Sequence, residues 1–335
     1  MTTVADAPQR RSGVDRLLGR GGKDGSGSGR RRRRDYRRRI GERRITPYLF
    51  LAPHFLLFAA FILFPFFLGI YISLHDWYGG RAGPFVGLRW FQALFDSGSI
   101  HFPRFWNSVW NTVLFVVMST PLLVGFALFL ASLLNQRLRG RNLFRGLYFV
   151  PWTLSVAVVG LTWWWMFNGN AGFITLTLRD WFGGSPSWTA SNPYAWITIL
   201  VATLWWTIGF NTIIFLAGMQ GISQDLYEAA SVDGANKWQQ FRSITLPSLR
   251  PILLLVVTLQ IIASFQLLGQ PQLITGGGPP SSLGGETAPV LLHIYNTGFQ
   301  GRRELSLAAA MALVVAALMI VVSVVNFRLF SSERS

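Results

Sequence analysis

Six stretches of the chain contain no Asp, Glu, Lys or Arg: 45–74, 105–136, 146–178, 181–224, 251–285 and 305–327. Each is apolar around its whole circumference, as in the run from Val113 to Leu130. A soluble amphipathic helix shows one apolar stripe, and a membrane strand alternates sides. These stretches do neither. About 20 predominantly apolar residues cross a hydrocarbon core as a helix. The pattern therefore predicts spans near 48–72, 109–134, 147–167, 194–219, 252–273 and 305–327. A soluble core could bury one such run but not six. The expected fold class is all-α, a polytopic membrane protein with six transmembrane helices.

Composition sharpens this reading. Only 13% of residues are charged, about half the share of a soluble domain, and 51% are hydrophobic, which excludes a disordered chain. The net charge is +16, yet residues 1–44 carry 15 of the 30 Lys/Arg and 5 of the 14 Asp/Glu. The basic character thus belongs to a tail. There a Gly/Ser tract from Gly21 to Gly29 precedes Arg30 to Arg34 and Arg37 to Arg39. Residues 1–44 read as a disordered Arg-rich cytoplasmic tail that anchors the first span, in preference to a nucleic-acid or anionic-lipid binder. The arginine pairs also suggest a twin-arginine signal. The apolar run behind them far exceeds a signal's 7–15 residues, and no small-residue cleavage site ends it, so the first span is expected to stay uncleaved.

Arg43 and Arg44 precede the first span, and Arg137, Arg139, Arg141 and Arg145 fill the link between the second and third without an acid. Cations favour the cytoplasmic side, and an even number of spans places both termini there. Loops 75–104, 168–193 and 274–304 then face outward, with Trp163 to Trp165 at the outer interface.

Several chemistries are missing. Ion-coupled transport usually places an ionisable residue inside the membrane, and no predicted span contains Asp, Glu, Lys or Arg. The absence of cysteine removes thiol catalysis and Cys-ligated metals. A phosphate-binding loop needs Lys followed by Ser or Thr, but Lys23 precedes Asp24 and Lys237 precedes Trp238. Any ATP is therefore bound by another chain. A membrane enzyme would have to use Asp76, Asp96, His75 and His101 in one outer loop, whose spacing matches no metal motif.

The segment between spans four and five, 220–250, has the most local pattern. Ser223 is a plausible N-cap with Asp225 in the first turn. Glu228, Ala229 and Ala230 continue a short helix, and Asp233-Gly234 signals a turn with Gly in a left-handed position. A second helix follows, with Trp238, Phe241 and Ile244 along one side, and Pro247 is expected to stop it.

The spacing Glu228-Ala229-Ala230, Gly234, then Ile244-x-Leu246-Pro247 resembles the signature of binding-protein-dependent ABC importer permeases. Pro47 to Pro53, Leu63 to Ser73, Phe85 to Leu88, Asn111-Thr112, Thr275 to Pro279 and Ala308 to Ala312 are similar to the sugar-transport branch, the maltose and glycerol-phosphate type. The resemblance covers about 47–330. It implies a MetI-like permease domain over 45–330 in a bacterial cell membrane, which is not an enzyme and binds no cofactor or metal. The implied partners are a second six-helix permease, two ATP-binding cassette subunits that hydrolyse the ATP, and an extracytoplasmic solute-binding protein. The Glu-Ala-Ala loop is the implied coupling element, and the implied cargo is a sugar or oligosaccharide, with a polyol or glycerol phosphate derivative as the runner-up.

Polar residues within spans face the bundle interior. Gln260 and Ser264 lie four apart in span five. Trp206 and Phe210 show the same spacing in span four, beside Asn211. Aromatic faces with amide and hydroxyl partners suit a sugar. For each residue taken alone, ordinary helix packing is preferred to solute contact, and Gln266 and Gln270 form an alternative pair.

Overall fold

A computed structural model describes residues 46–78, 80–136, 140–277, 287–300 and 304–331. The expectations for the tail, for Arg137 and Arg139, and for Gly278 and Pro279 lie outside these residues. The chain divides at Pro65 into two units, Met1–Pro65 and Phe66–Ser335. Among the described residues four helices are long and apolar enough to span a bilayer: α1 (Tyr48–Ser73), α3 (His101–Leu134), α7 (Tyr194–Gln220) and α12 (Leu305–Ser331). Every side chain of α1 from Tyr48 to Leu68 is exposed.

The remaining two spans take a different form from the straight helices expected. The third apolar stretch is a bent pair, Arg141–Thr153 and Val156–Phe167, meeting at 95°. Its first half, α4 (Arg141–Phe149), is amphipathic and runs into a 3₁₀ turn at Val150–Thr153. The second half, α5 (Val156–Phe167), starts afresh on an N-cap at Ser155. Uniform apolarity hid this break, because Pro151 begins a new turn inside it. The fifth expected span, 252–273, is a helix α10 (Arg250–Phe265) followed after a break by a π-helical turn at Pro271–Thr275, and α10 meets the preceding loop helix α9 (Lys237–Ser248) at 67°. Meanwhile α3 starts eight residues before the expected 109. Its 34 residues extend to about 50 Å, well beyond a hydrocarbon core.

The second loop helix ends at Ser248, one residue past the stop expected at Pro247. A π-turn over Phe241–Thr245 directly precedes it, and the helix continues through Leu246–Ser248. The Leu246 N–H reaches back five residues to the Phe241 carbonyl. That wider turn moves the preceding carbonyls off the register in which a proline ring would collide with them. The same arrangement recurs in α1, where a π-turn at Ala59–Leu63 precedes Pro65.

Within the second unit α3 runs through all three apolar clusters. At one end Phe105 packs with Leu94, Phe265, Val290, Leu307 and Met311. Midway, Phe115 meets Trp196, Ile199 and Leu267. At the other end Ala127, Ala131 and Leu134 pack on Phe215, Met219, Leu249 and Val256. Buried hydroxyls on these helices satisfy themselves locally: Thr112, Thr203, Thr207 and Thr212 each donate to the carbonyl four residues back, as a water-free environment demands. Asn111 and Thr112 also act across the fold. The Asn111 amide donates to the Ala288 carbonyl, and Thr112 accepts the Val290 N–H, one of the orphan donors at the start of α11 (Val290–Phe299).

Loop 75–104 contains a hairpin that the sequence pattern did not announce. Strands β1 (His75–Tyr78) and β2 (Arg81–Phe85) pair antiparallel, with Trp77 opposite Ala82. Asp76 pairs with Arg89 at the start of α2 (Arg89–Phe95). The Trp77 N–H donates to Ser306 of α12 at 2.9 Å.

Candidate functional site

Trp206, Phe210, Asn211, Gln260 and Ser264 line one cavity of about 410 Å³, together with the alternative pair Gln266 and Gln270. Its aromatic wall is built from two elements. The side chains of Trp206 and Phe210 stand one turn apart on α7, and Trp152 of the 3₁₀ turn stacks on Phe210, with centroids 4.7 Å apart and planes 19° apart. Trp152 also lies 5.6 Å from Trp206, whose indole N–H donates to the Leu154 carbonyl at 3.1 Å. A close approach of backbones fixes this wall. On α7, Gly209 faces the Tyr148 carbonyl of α4, and a Cβ at Gly209 would collide with it. Trp152 was missed in the sequence because nothing in a uniformly apolar stretch marks which indole turns inward.

The opposite wall is polar and neutral. Gln260 is 7% exposed and its amide donates to Ser264 at 3.4 Å. Ser264 in turn lies 3.3 Å from Ser119 of α3. Thr203 and Thr207 add hydroxyls from α7, and Asn211 donates to the Thr207 carbonyl at 3.4 Å. Helix packing and cavity lining are thus combined here: the same amides and hydroxyls join helices and face the void.

Segment 220–250 forms two helices and a turn. In α8 (Gln224–Val232) the Ser223 side chain accepts the Asp225 N–H. The helix closes through Gly234 at φ 79°. The Ala235 N–H reaches the Ala230 carbonyl at 2.9 Å and the Gly234 N–H reaches Ser231 at 3.1 Å, the paired bonds of a left-handed C-terminal cap. Asn236 and Gln239 then form a reciprocal capping box that opens α9. Two side-chain bridges join the helices, Tyr227 to Thr245 at 2.9 Å and Gln240 to Ser231 at 2.9 Å. Glu228, Ala229, Gly234 and Pro247 are exposed, while Ala230, Ile244 and Leu246 are half-buried. Large apolar side chains also point outward, with Val232 at 88% and Trp238 at 69% exposure.

The residues suggested for an enzyme do not converge. Asp76 is held by Arg89, Asp96 accepts the Gly98 N–H, the His75 ring bonds the Tyr71 carbonyl, and His101 lies edge-on to Trp90. Among the described residues no three His, Asp or Glu side chains gather as metal ligands would.

Residues 90–332 match the protein family described as the binding-protein-dependent transport system inner membrane component. The chain belongs to that family. It is a multi-pass inner-membrane permease and not an enzyme. Among its relatives, the trehalose/maltose transport system permease protein MalF of Thermococcus litoralis is 36% identical over 259 residues, 76% of this chain and 84% of that protein. The sn-glycerol-3-phosphate transport system permease protein UgpA of Rhizobium meliloti is 33% identical, over 85% of this chain and 94% of its own length. In three dimensions the chain resembles a chain in the crystal structure of a bacterial ABC transporter involved in the import of the acidic polysaccharide alginate. The TM-score is 0.74 at 21% identity, covering 91% of this chain and all of that one.

Proposed function

We propose that this permease forms half the translocation path of an ATP-driven importer for a sugar or oligosaccharide. A second six-helix permease completes the path, two ATP-binding cassette subunits hydrolyse the ATP, and an extracytoplasmic binding protein delivers solute. Residues 45–330 make up the membrane domain. The Arg-rich tail and the link bearing Arg141 and Arg145 lie in the cytoplasm, with both termini. Glu228, Ala229, Ala230, Gly234, Ile244, Leu246 and Pro247 shape the loop that docks on an ATPase, and the cavity around Trp206 and Gln260 lies on the solute path.

The observation that carries this reading is the two-helix loop. Its hydrogen-bonded turn makes α8 and α9 a compact lever, it leaves Val232 and Trp238 uncovered, and α9 leads directly into α10, which bears Gln260. The names of relatives support the cargo, since they include transport of trehalose and maltose, of starch degradation products and of arabinooligosaccharides.

The test is mild-detergent purification of the tagged protein, with mass spectrometry of what accompanies it, beside a Val232→Asp variant. Recovery of an ATP-binding subunit and a second six-span protein is expected, with the ATPase reduced in the variant and the second permease retained. Equal ATPase in both samples would remove the docking role of the loop.

A further inference from the structure

The cavity between α7, α10 and the 3₁₀ turn is lined by 17 residues, and none of them is Asp, Glu, Lys, Arg or His. Charge is also missing from the surroundings at this depth. The stretches that build the walls, 105–136, 146–178, 181–224 and 251–285, contain no Asp, Glu, Lys or Arg. An anion entering such a site loses its hydration with no cation from this chain to replace it.

Hydrogen-bond polarity points the same way. Thr203 and Thr207 each commit their hydroxyl proton to a backbone carbonyl 2.8 Å away, so toward the cavity they offer only lone pairs. Trp206 has likewise given its N–H to Leu154. A carboxylate or phosphate is an acceptor alone and meets two oxygens that cannot donate to it. A saccharide hydroxyl is both donor and acceptor. It gives its proton to Thr203 or Thr207 and exchanges bonds with the amides of Gln260, Gln266 and Gln270. The stacked indole and phenyl rings supply an apolar platform for the C–H face of a pyranose.

We propose that this cavity selects neutral saccharides, seating a sugar ring on Trp152 against the amide wall, and excludes carboxylated and phosphorylated ones. The proposal rests on the cavity being part of the solute path, as argued above. It makes selection against charge a property of the permease itself, separate from whatever the binding protein delivers. It also tells against glycerol phosphate as cargo.

The test is binding to the purified permease complex without the binding protein, followed by tryptophan fluorescence. The probes are maltotriose and the carboxylate made by oxidising its reducing end. Maltotriose is expected to quench the fluorescence, with the carboxylate at least about 100-fold weaker. Trp152→Ala should weaken maltotriose about 10-fold or more, while Trp152→Phe keeps a ring in place and most of the binding. Gln266→Lys, at an exposed position on the rim, should bring in the carboxylate. Comparable binding of both probes to the unmodified complex would overturn the selectivity while leaving the cavity as a sugar site. Absence of maltotriose binding, or binding indifferent to Trp152→Ala, would overturn the proposal together with the placement of the solute path. The importer reading itself is decided separately, by the subunits that co-purify.

Discussion

Replacing Gly234 by Val tests the turn between α8 and α9 with a cost that follows from its geometry. The backbone there sits at φ 79°, and a Cβ would meet nothing within 4 Å. No clash is added, so the whole effect is the conformational penalty of a left-handed residue, about 1–2 kcal/mol and highest for a branched side chain. If the turn relaxes instead, it gives up the bonds from Ala235 to Ala230 and from Gly234 to Ser231, each worth about 0.5–1.5 kcal/mol. The first route reduces the population of the docking geometry by roughly 5- to 30-fold, and the second replaces it only where losing those bonds costs less. The assay is the ATPase retained per permease after mild-detergent purification, with amide exchange across 224–248. Gly183 is the matched control, because it closes α6 (Phe173–Phe182) at φ 71° with equally open surroundings. The expected outcome is loss of ATPase and faster exchange at Ala235 in Gly234→Val, with neither in Gly183→Val. Equal ATPase loss in both variants, or ATPase loss without faster exchange, would refute the reasoning.

Gly209→Ala should destabilise the protein by about 1–3 kcal/mol, because the added methyl group meets the Tyr148 backbone, which cannot move aside as a side chain could; thermal unfolding in detergent reads this. Thr112→Val should cost about 1–3 kcal/mol by leaving the buried Val290 N–H without its acceptor, and faster exchange of that amide would show it. Asp76→Asn removes the ion pair with Arg89, whose side chain is 51% exposed, so the loss should stay within about 1 kcal/mol with transport retained; complete inactivation would contradict a structural role. His293, on α11 outside the spanning helices, is held down to about 4 by burial and by the nearby Arg104 and His101. Its folded value lies below the unfolded 6.5, so the unfolded chain binds more protons between the two. Stability is full above pH 6.5 and falls as the pH drops toward 4, by up to about 3 kcal/mol. A His293→Gln variant should flatten that slope, and an unchanged slope would assign it to other groups.

Apolar length told where the chain crosses the membrane but not whether it crosses straight. The spans at α7 and α12 were legible because nothing in them competes with one continuous helix, and α1 was legible from its apolar length although a π-turn precedes its Pro65. The break at Ser155 was hidden because its signal, a Ser N-cap, looks like an ordinary residue in an oily run. Pro247 reads locally as a stop and the helix ends one residue beyond it at Ser248, whereas the π-turn over Phe241–Thr245 that precedes it has no signal in residue type. The loop was legible in detail because capping is local chemistry: Ser223 and Gly234 act on neighbours within a few residues. The cavity was half legible. Helical spacing places Gln260 over Ser264 and Trp206 over Phe210, whereas Trp152 joins them only through a tertiary contact. The hairpin at His75–Phe85 was not legible, since it is anchored by Arg89 and by Ser306, more than 220 residues along the chain.

The contact between Gly209 and the Tyr148 carbonyl bears on how the cavity changes shape. Backbone against backbone leaves no side chain to rearrange, so α4, its 3₁₀ turn and the middle of α7 behave as one block. That block carries Trp152, Trp206 and Phe210 together. Any movement that preserves the contact keeps the aromatic wall intact, whereas α10, with Gln260 and Ser264, meets α7 through side chains, Ile252 and Leu249 against Gly218. In the importer proposed above, a push on the loop would reach the amides through α9 and α10, changing their hydrogen bonds to solute while the stacking surface stays in place.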